Sequence, residues 1–196
     1  EGIAESTHLW VDEATGLECK CRPDWLTADG SIVVDVKTTE DASGGQAGAE
    51  NGVLTTMVGG DSAAFDQVEP VMRCYTKHAQ LMGGVGSGQT TKMVNQLAIA
   101  GILGGLSEAL HFAECAGLDI DEVTNAIQGG AAQSWQLTNR AATIAKREYN
   151  FGFAIDWMRK DLGFALDVAD RLGLHLPIAT LVDEQYADVQ VNGGGR

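Results

Sequence analysis

Between Met93 and Phe112 the apolar residues Met93, Val94, Leu97, Ile99, Ile102, Leu103, Leu106, Leu110 and Phe112 recur at helical spacing and cover more than one face. That pattern predicts a long helix buried on several sides, by its own domain and by a second subunit. It starts at about Thr90, reaches Cys115 or Ala116, and stops at Gly117, the residue type favoured just past a helix end. Asp119 caps a second segment, which ends at Gly129-Gly130, and Ser134 to about Ala145 forms a third. Asp156 to Leu172, closed by Gly173, is a fourth, and Pro177 opens a fifth that runs to about Val191. The expectation is an all-α domain of five helices over residues 90–191, followed by a glycine-rich tail over 192–196.

Upstream the period shortens. Leu9-Trp10-Val11, Leu17 to Arg22 and Ser31 to Val36 read as three strands around Gly-closed turns, a β meander over residues 1–42. Three strands alone are marginal, so the meander is expected to lean on something else. Residues 43–89 read as a short α/β portion: a Gly-rich loop, a strand from Val53 to Gly60, a helix opened by Asp61 or Ser62, and a short strand from Tyr75 to Met82. Pro70 inside that helix predicts a kink or an early break.

Bulk composition narrows the chemistry. Hydrophobic residues make up 44% and charged residues 20%, ordinary for a globular protein. A net charge of -14 disfavours binding to a nucleic-acid backbone. Cys19, Cys21, Cys74 and Cys115 lack zinc-ligand spacing, and Cys74 and Cys115 read as reduced core residues. Gln96, Ser107, Glu108, His111 and Glu114 interrupt the apolar run, which argues against a membrane span. A reducing, cytoplasmic setting is expected.

The long helix opens from a glycine cluster, Gly83-Gly84-Val85-Gly86-Ser87-Gly88. Gly86 and Gly88 allow positive φ and a close backbone approach to a ligand. A helix start offers unpaired N–H groups and partial positive charge, which suits a carboxylate. Lys92 falls about a turn inside, and Asn95 lies on the same face three residues later. A lysine and an amide at the anion-binding end of a buried helix suit a hydroxy acid.

Gly83-x-x-Gly86-x-Gly88-x-x-x-Lys92 resembles the catalytic motif of the β-hydroxyacid dehydrogenases, the family that includes 3-hydroxyisobutyrate, tartronate semialdehyde and 6-phosphogluconate enzymes. Ser43 to Gly52 is similar to the family's substrate loop, and Lys160-Asp161-Leu162-Gly163-Phe164-Ala165-Leu166-Asp167 to its third motif, the one near the cofactor. The resemblance covers residues 41–196 and is nearest to the 3-hydroxyisobutyrate type. It implies a mainly α, 6-phosphogluconate-dehydrogenase-like C-terminal domain, with NAD or NADP as cofactor, a small 3-hydroxy acid as substrate, and a homo-oligomer. By the same resemblance Lys92 is the general acid/base, and Ser43, Gly44, Gly45, Gly88 and Asn95 bind substrate. Lys160 and Asp167 face the cofactor. The family motif often carries Asn four residues after the lysine, where this chain has Gln96.

A complete Rossmann domain is expected to be absent, because no G-x-G-x-x-G precedes Asp41. Instead Asp24, Asp35 and Lys37 resemble the metal-binding acids and lysine of a PD-(D/E)XK phage-type recombination exonuclease. That resemblance implies Mg²⁺ at the two carboxylates, and a junction between two unrelated sequences near Ala42. Three readings follow: the C-terminal part of a 3-hydroxyacid dehydrogenase, weakly active or inactive; a Mg²⁺-dependent exonuclease fragment; and a non-catalytic helical dimerisation module. They rank in that order.

Overall fold

The computed structural model describes residues 8–11, 18–21, 24–27 and 32–37 as strand backbone, and 52–150 and 153–195 in full. The chain divides into two compact units, Glu1–Val94 and Asn95–Arg196. The first is built on a sheet in sequential order: β1 (His8–Val11), β2 (Glu18–Cys21), β3 (Asp24–Thr27), β4 (Ile32–Lys37), β5 (Leu54–Gly60) and β6 (Thr76–Gly83). Neighbours from β1 to β5 are antiparallel, and β5 pairs with β6 in parallel.

The expected three-strand meander therefore has four strands. The strand not foreseen is β3, whose four residues are too few to show an alternating pattern. The support that the meander requires is β5, which pairs with β4 from Ile32↔Gly60 to Lys37↔Thr55.

Parallel strands cannot be joined by a tight turn, and α1 (Ser62–Met72) supplies the crossover between β5 and β6. Its N-cap is Asp61, whose carboxylate accepts from the N–H of Ala63 at 2.9 Å and of Ala64 at 3.2 Å. Pro70 does not break α1 at once; the helix ends two residues later, at Met72. Val58 and Met72 form the centre of this unit's core, with Phe65, Val68 and Leu81 against them.

Among the described residues of this unit, Thr56 carries a buried hydroxyl without a partner. The Thr56 side chain is 0% exposed, and its Oγ1 has no hydrogen-bond partner. An orphaned buried hydroxyl costs about 1–3 kcal/mol, so Thr56→Val is expected to raise stability by about 1 kcal/mol. Chemical denaturation checks this, and a loss of stability would show that the hydroxyl is engaged.

Helix α2 (Ser87–Cys115) begins in the first unit and continues into the second. There it is joined by α3 (Ile120–Ile127), α4 (Trp135–Ala145), α5 (Ile155–Arg171) and α6 (Pro177–Val191), so the expected five helices are present. Gly117 (φ 75°) ends α2 as foreseen. Its N–H donates to Glu114 O at 3.0 Å, and the N–H of Leu118 donates to Ala113 O at 3.0 Å. Gly173 (φ 68°) closes α5 in the same way.

Two clusters hold this unit together: Ala100, Met158, Leu162 and Val182, and Leu110, Leu137 and Ala141. Gly104 lets α2 approach α6 closely, since a Cβ there would lie 3.1 Å from Val182 Cγ2. Arg159 ties α5 to α6 through a two-point contact with Asp183, at 3.0 and 3.1 Å.

By length and composition α2 is apolar enough to cross a membrane. Its Ala100, Leu110 and Ala113 are instead core residues of the helical unit. Cys74 and Cys115, expected in the core, are both exposed free thiols. Each stands at a helix end, just past α1 and as the last residue of α2, where apolar sequence neighbours do not ensure burial.

Candidate active site

In the first unit the sheet delivers the glycine cluster through β6. Gly83 (φ 145°) and Gly86 (φ 92°) take conformations that side chains disfavour, and they turn the chain into α2. The helix begins at Ser87, earlier than the expected Thr90, so Lys92 stands in its second turn and is half-buried. Thr90 and Thr91 hold the first turn by bonding back to Gly86 O at 3.0 Å and Ser87 O at 2.8 Å.

Gly88 has a different task from Gly86. It is buried, and a Cβ there would lie 2.6 Å from Met57 O and 3.1 Å from Gly59 N. A Cβ on Gly59 would in turn meet Gly84 O at 2.7 Å, Ser87 N at 2.8 Å and Gly88 N at 2.9 Å. Two glycines thus let the end of β5 and the start of α2 cross backbone to backbone. The feature that the structure shows at Gly88 is this packing, which fixes where the helix of Lys92 begins.

In the second unit the polar residues of α2 and α5 converge. Gln96 is 3% exposed, and its Nε2 donates to Asp161 Oδ2 at 2.8 Å and lies 3.8 Å from Met158 Sδ. Asn95 donates from Nδ2 to Gln96 Oε1 at 3.2 Å. An amide nitrogen carries two N–H groups, so this bond leaves capacity for a substrate oxygen. Lys160 Nζ lies 3.3 Å from Asp161 Oδ1.

Asp167 does not share this cluster. It is exposed, six residues beyond Asp161 on α5, and its backbone carbonyl accepts from Arg171 Nε at 3.2 Å. At 3.6 residues per turn six positions bring a side chain to a different face. The carboxylate beside Lys160 is therefore Asp161 rather than Asp167. Ser43, Gly44 and Gly45 lie outside the described residues.

The sequence placed the substrate amide at Asn95 and put Gln96 where the family motif often carries Asn; in the structure the engaged amide of α2 is Gln96 as much as Asn95. One feature escaped the sequence reading. Phe153, just before α5, has φ 61°, which is rare for a bulky residue, and its ring packs edge-on against Trp157 at 6.0 Å. Strain of that kind gathers at functional sites. The break at residues 150–153 was visible, but periodicity gives no φ.

Two family models match separate stretches of the chain. A family model described as the NAD-binding domain of NADP-dependent 3-hydroxyisobutyrate dehydrogenase matches residues 86–196, more than half of the chain. The chain belongs to the 3-hydroxyisobutyrate dehydrogenase family. A second model, the NAD-binding domain of 6-phosphogluconate dehydrogenase, matches residues 26–84. An uncharacterized oxidoreductase from Shewanella frigidimarina is 61% identical over 154 residues, which is 79% of this chain and 53% of the relative. The 2-hydroxy-3-oxopropionate reductase of Escherichia coli is 42% identical over 154 residues, with the same coverage of both chains. Among solved structures, a 3-hydroxyisobutyrate dehydrogenase from Salmonella typhimurium superposes with a TM-score of 0.71 at 29% identity, over 84% of this chain and 56% of its own. The chain spans about half the length of the curated relatives that it matches.

These matches correct the reading of the N-terminal stretch. The nuclease resemblance is not supported: the NAD-binding-domain match begins at residue 26 and takes in Asp35 and Lys37. Backbone pairing does set Asp24 opposite Asp35. The side chains of Asp24, Asp35 and Lys37 lie outside the described residues. Two acids and a lysine on adjacent strands recur too readily for their spacing alone to establish a metal site. Both matched domains are NAD(P)-binding domains, in keeping with NAD or NADP as cofactor.

Proposed function

We propose that this chain carries the substrate-binding and proton-transfer residues of an NAD(P)-dependent 3-hydroxyacid dehydrogenase, with Lys92 as general acid/base. The observation that supports this best is the built start of α2. A backbone crossing at Gly59 and Gly88 fixes the helix, and Lys92 projects from its second turn, half-buried. When bound, the nicotinamide supplies or takes up a hydride at the substrate carbon. The chain's own part is to take or give the hydroxyl proton at Lys92 Nζ, and to bind the carboxylate through Ser43, Gly44 and Gly45 and the N–H groups at the start of α2. Asn95 hydrogen-bonds the substrate. Lys160 fits an anionic group of the cofactor or substrate, because its ammonium is exposed and tethered beside Asp161.

Substrate binding asks for less than turnover does. Positioning of two reactants is worth about 7–11 kcal/mol of a barrier, and it requires a firm hold on the dinucleotide. The 196 residues, which span half of their relatives, are expected to bind 3-hydroxyisobutyrate in the millimolar range and to consume NAD(P)H very slowly. Titration by NMR on the wild type and on Lys92→Ala tests the first part, with binding expected to weaken at least fivefold in the variant. Equal affinity in both, or fast Lys92-dependent turnover by this chain alone, would contradict the assignment.

The same reading includes self-association. Ile102 is 39% exposed, Phe112 73%, Ile178 64% and Leu181 54%, a large apolar area on one helical unit. Sedimentation at tens of micromolar is expected to show a dimer or a larger species, and a clean monomer would count against it. Exposed free thiols at Cys74 and Cys115 suit a reducing, cytoplasmic compartment.

A further inference from the structure

Asp161 is a buried carboxylate, 7% exposed, whose two oxygens serve different partners. Oδ2 accepts from Gln96 Nε2 at 2.8 Å, and Oδ1 lies 3.3 Å from Lys160 Nζ. A buried carboxylate is tolerated only when it is paired and hydrogen-bonded, and here both oxygens are used. The direction of the amide is also settled. Asn95 Nδ2 donates to Gln96 Oε1 at 3.2 Å, which leaves the Gln96 nitrogen turned toward the acid.

The lysine is the outer member of this chain of contacts, with a side chain 58% exposed. Residues i and i+1 of a helix point about 100° apart and do not normally face each other. Lys160 Nζ nevertheless lies 3.3 Å from Asp161 Oδ1, a placement that helix geometry does not supply by itself. A carboxylate fixed from behind by a buried amide gives that placement its partner. A carboxylate free to rotate would not.

We propose that Gln96 and Asp161 are positioning residues for Lys160: together they hold its ammonium in one place for an anionic group of the ligand. This rests on the reading that Lys160 meets the substrate or the cofactor. The hold itself is a property of this chain and can be measured without either.

The experiment is ¹⁵N relaxation of the lysine ammonium groups, with exposed Lys146 as the internal reference. In the wild type, Lys160 Nζ is expected to be clearly more ordered than Lys146 Nζ. Asp161→Asn keeps the shape and an acceptor for Gln96 but removes the charge; Gln96→Leu keeps the volume but removes the donor. Both are expected to lower the order of Lys160 to that of Lys146, even where the melting temperature hardly moves. A purely structural pair would change the melting temperature and leave the ammonium as it was.

A Lys160 as mobile as Lys146 in the wild type, or unchanged in Asp161→Asn, would overturn the proposal. In titrations with 3-hydroxyisobutyrate, Asp161→Asn is expected to lose as much affinity as Lys160→Met, and the double variant no more than either. An ordered Lys160 with no binding of the acid would sink the dehydrogenase reading and leave the hold on the lysine standing.

Discussion

Gly88→Ala is expected to cost about 2–3 kcal/mol of folding stability, or roughly 5–10 °C in melting temperature. The added methyl would lie 2.6 Å from Met57 O and 3.2 Å from Met57 C. Those are backbone atoms of β5, between the ladders to β4 and β6, so neither partner can give way alone. Relief requires the start of α2 to lift off the sheet. Gly84→Ala is the matched control: a Cβ there meets nothing within 4 Å, and the change should stay within about 0.5 kcal/mol. Thermal unfolding of the two variants decides it, and equal melting temperatures would mean that the crossing is looser than its distances imply.

Leu162→Ala is the second large effect, about 3 kcal/mol. The side chain is fully buried among Ala100, Met158 and Val182, where α2, α5 and α6 meet, and truncation leaves a cavity that three helices cannot readily close. It stands inside the Lys160-Asp161-Leu162-Gly163 run, whose other members behave differently. A Cβ at Gly163 meets nothing within 4 Å, and the residue is in mid-helix, so Gly163→Ala should raise stability by about 0.5–1 kcal/mol. Denaturant unfolding of both variants tests this division within a single motif. A loss below about 1 kcal/mol for Leu162→Ala would mean that the core repacks around it.

The helical half was the more legible in the sequence because its signals are local. Gly117 and Gly173 sit two residues past the last residue of their helices, Asp119 and Ser134 cap theirs, and each shows in a few residues of text. The site was legible as residue types: a lysine one turn from an amide, and a lysine beside an acid. What a sequence does not carry is which partner each group takes. Asp161 and Asp167 look alike in the motif, and only the packing of α5 on α2 separates the buried one from the exposed one. Gly86 and Gly88 likewise read as one feature, although one serves a positive φ and the other a backbone crossing. The N-terminal stretch misled because Asp24, Asp35 and Lys37 satisfied a short pattern. The NAD-binding-domain match over residues 26–84 rests on a far longer one.

Whether Lys92 is the acid/base of a 3-hydroxyacid dehydrogenase is tested most directly in a hybrid enzyme. Residues 43–196 would replace the matching part of the Escherichia coli 2-hydroxy-3-oxopropionate reductase, to which this chain is 42% identical over 154 residues. The relative's remaining half then supplies what this chain does not span. Steady-state NAD(P)H consumption with 2-hydroxy-3-oxopropionate should be readily measurable, and Lys92→Ala should lower kcat by about 10²–10⁴-fold, the usual worth of a positioned general acid/base. A hybrid that folds and binds cofactor but turns over equally well with alanine at position 92 would contradict the assignment.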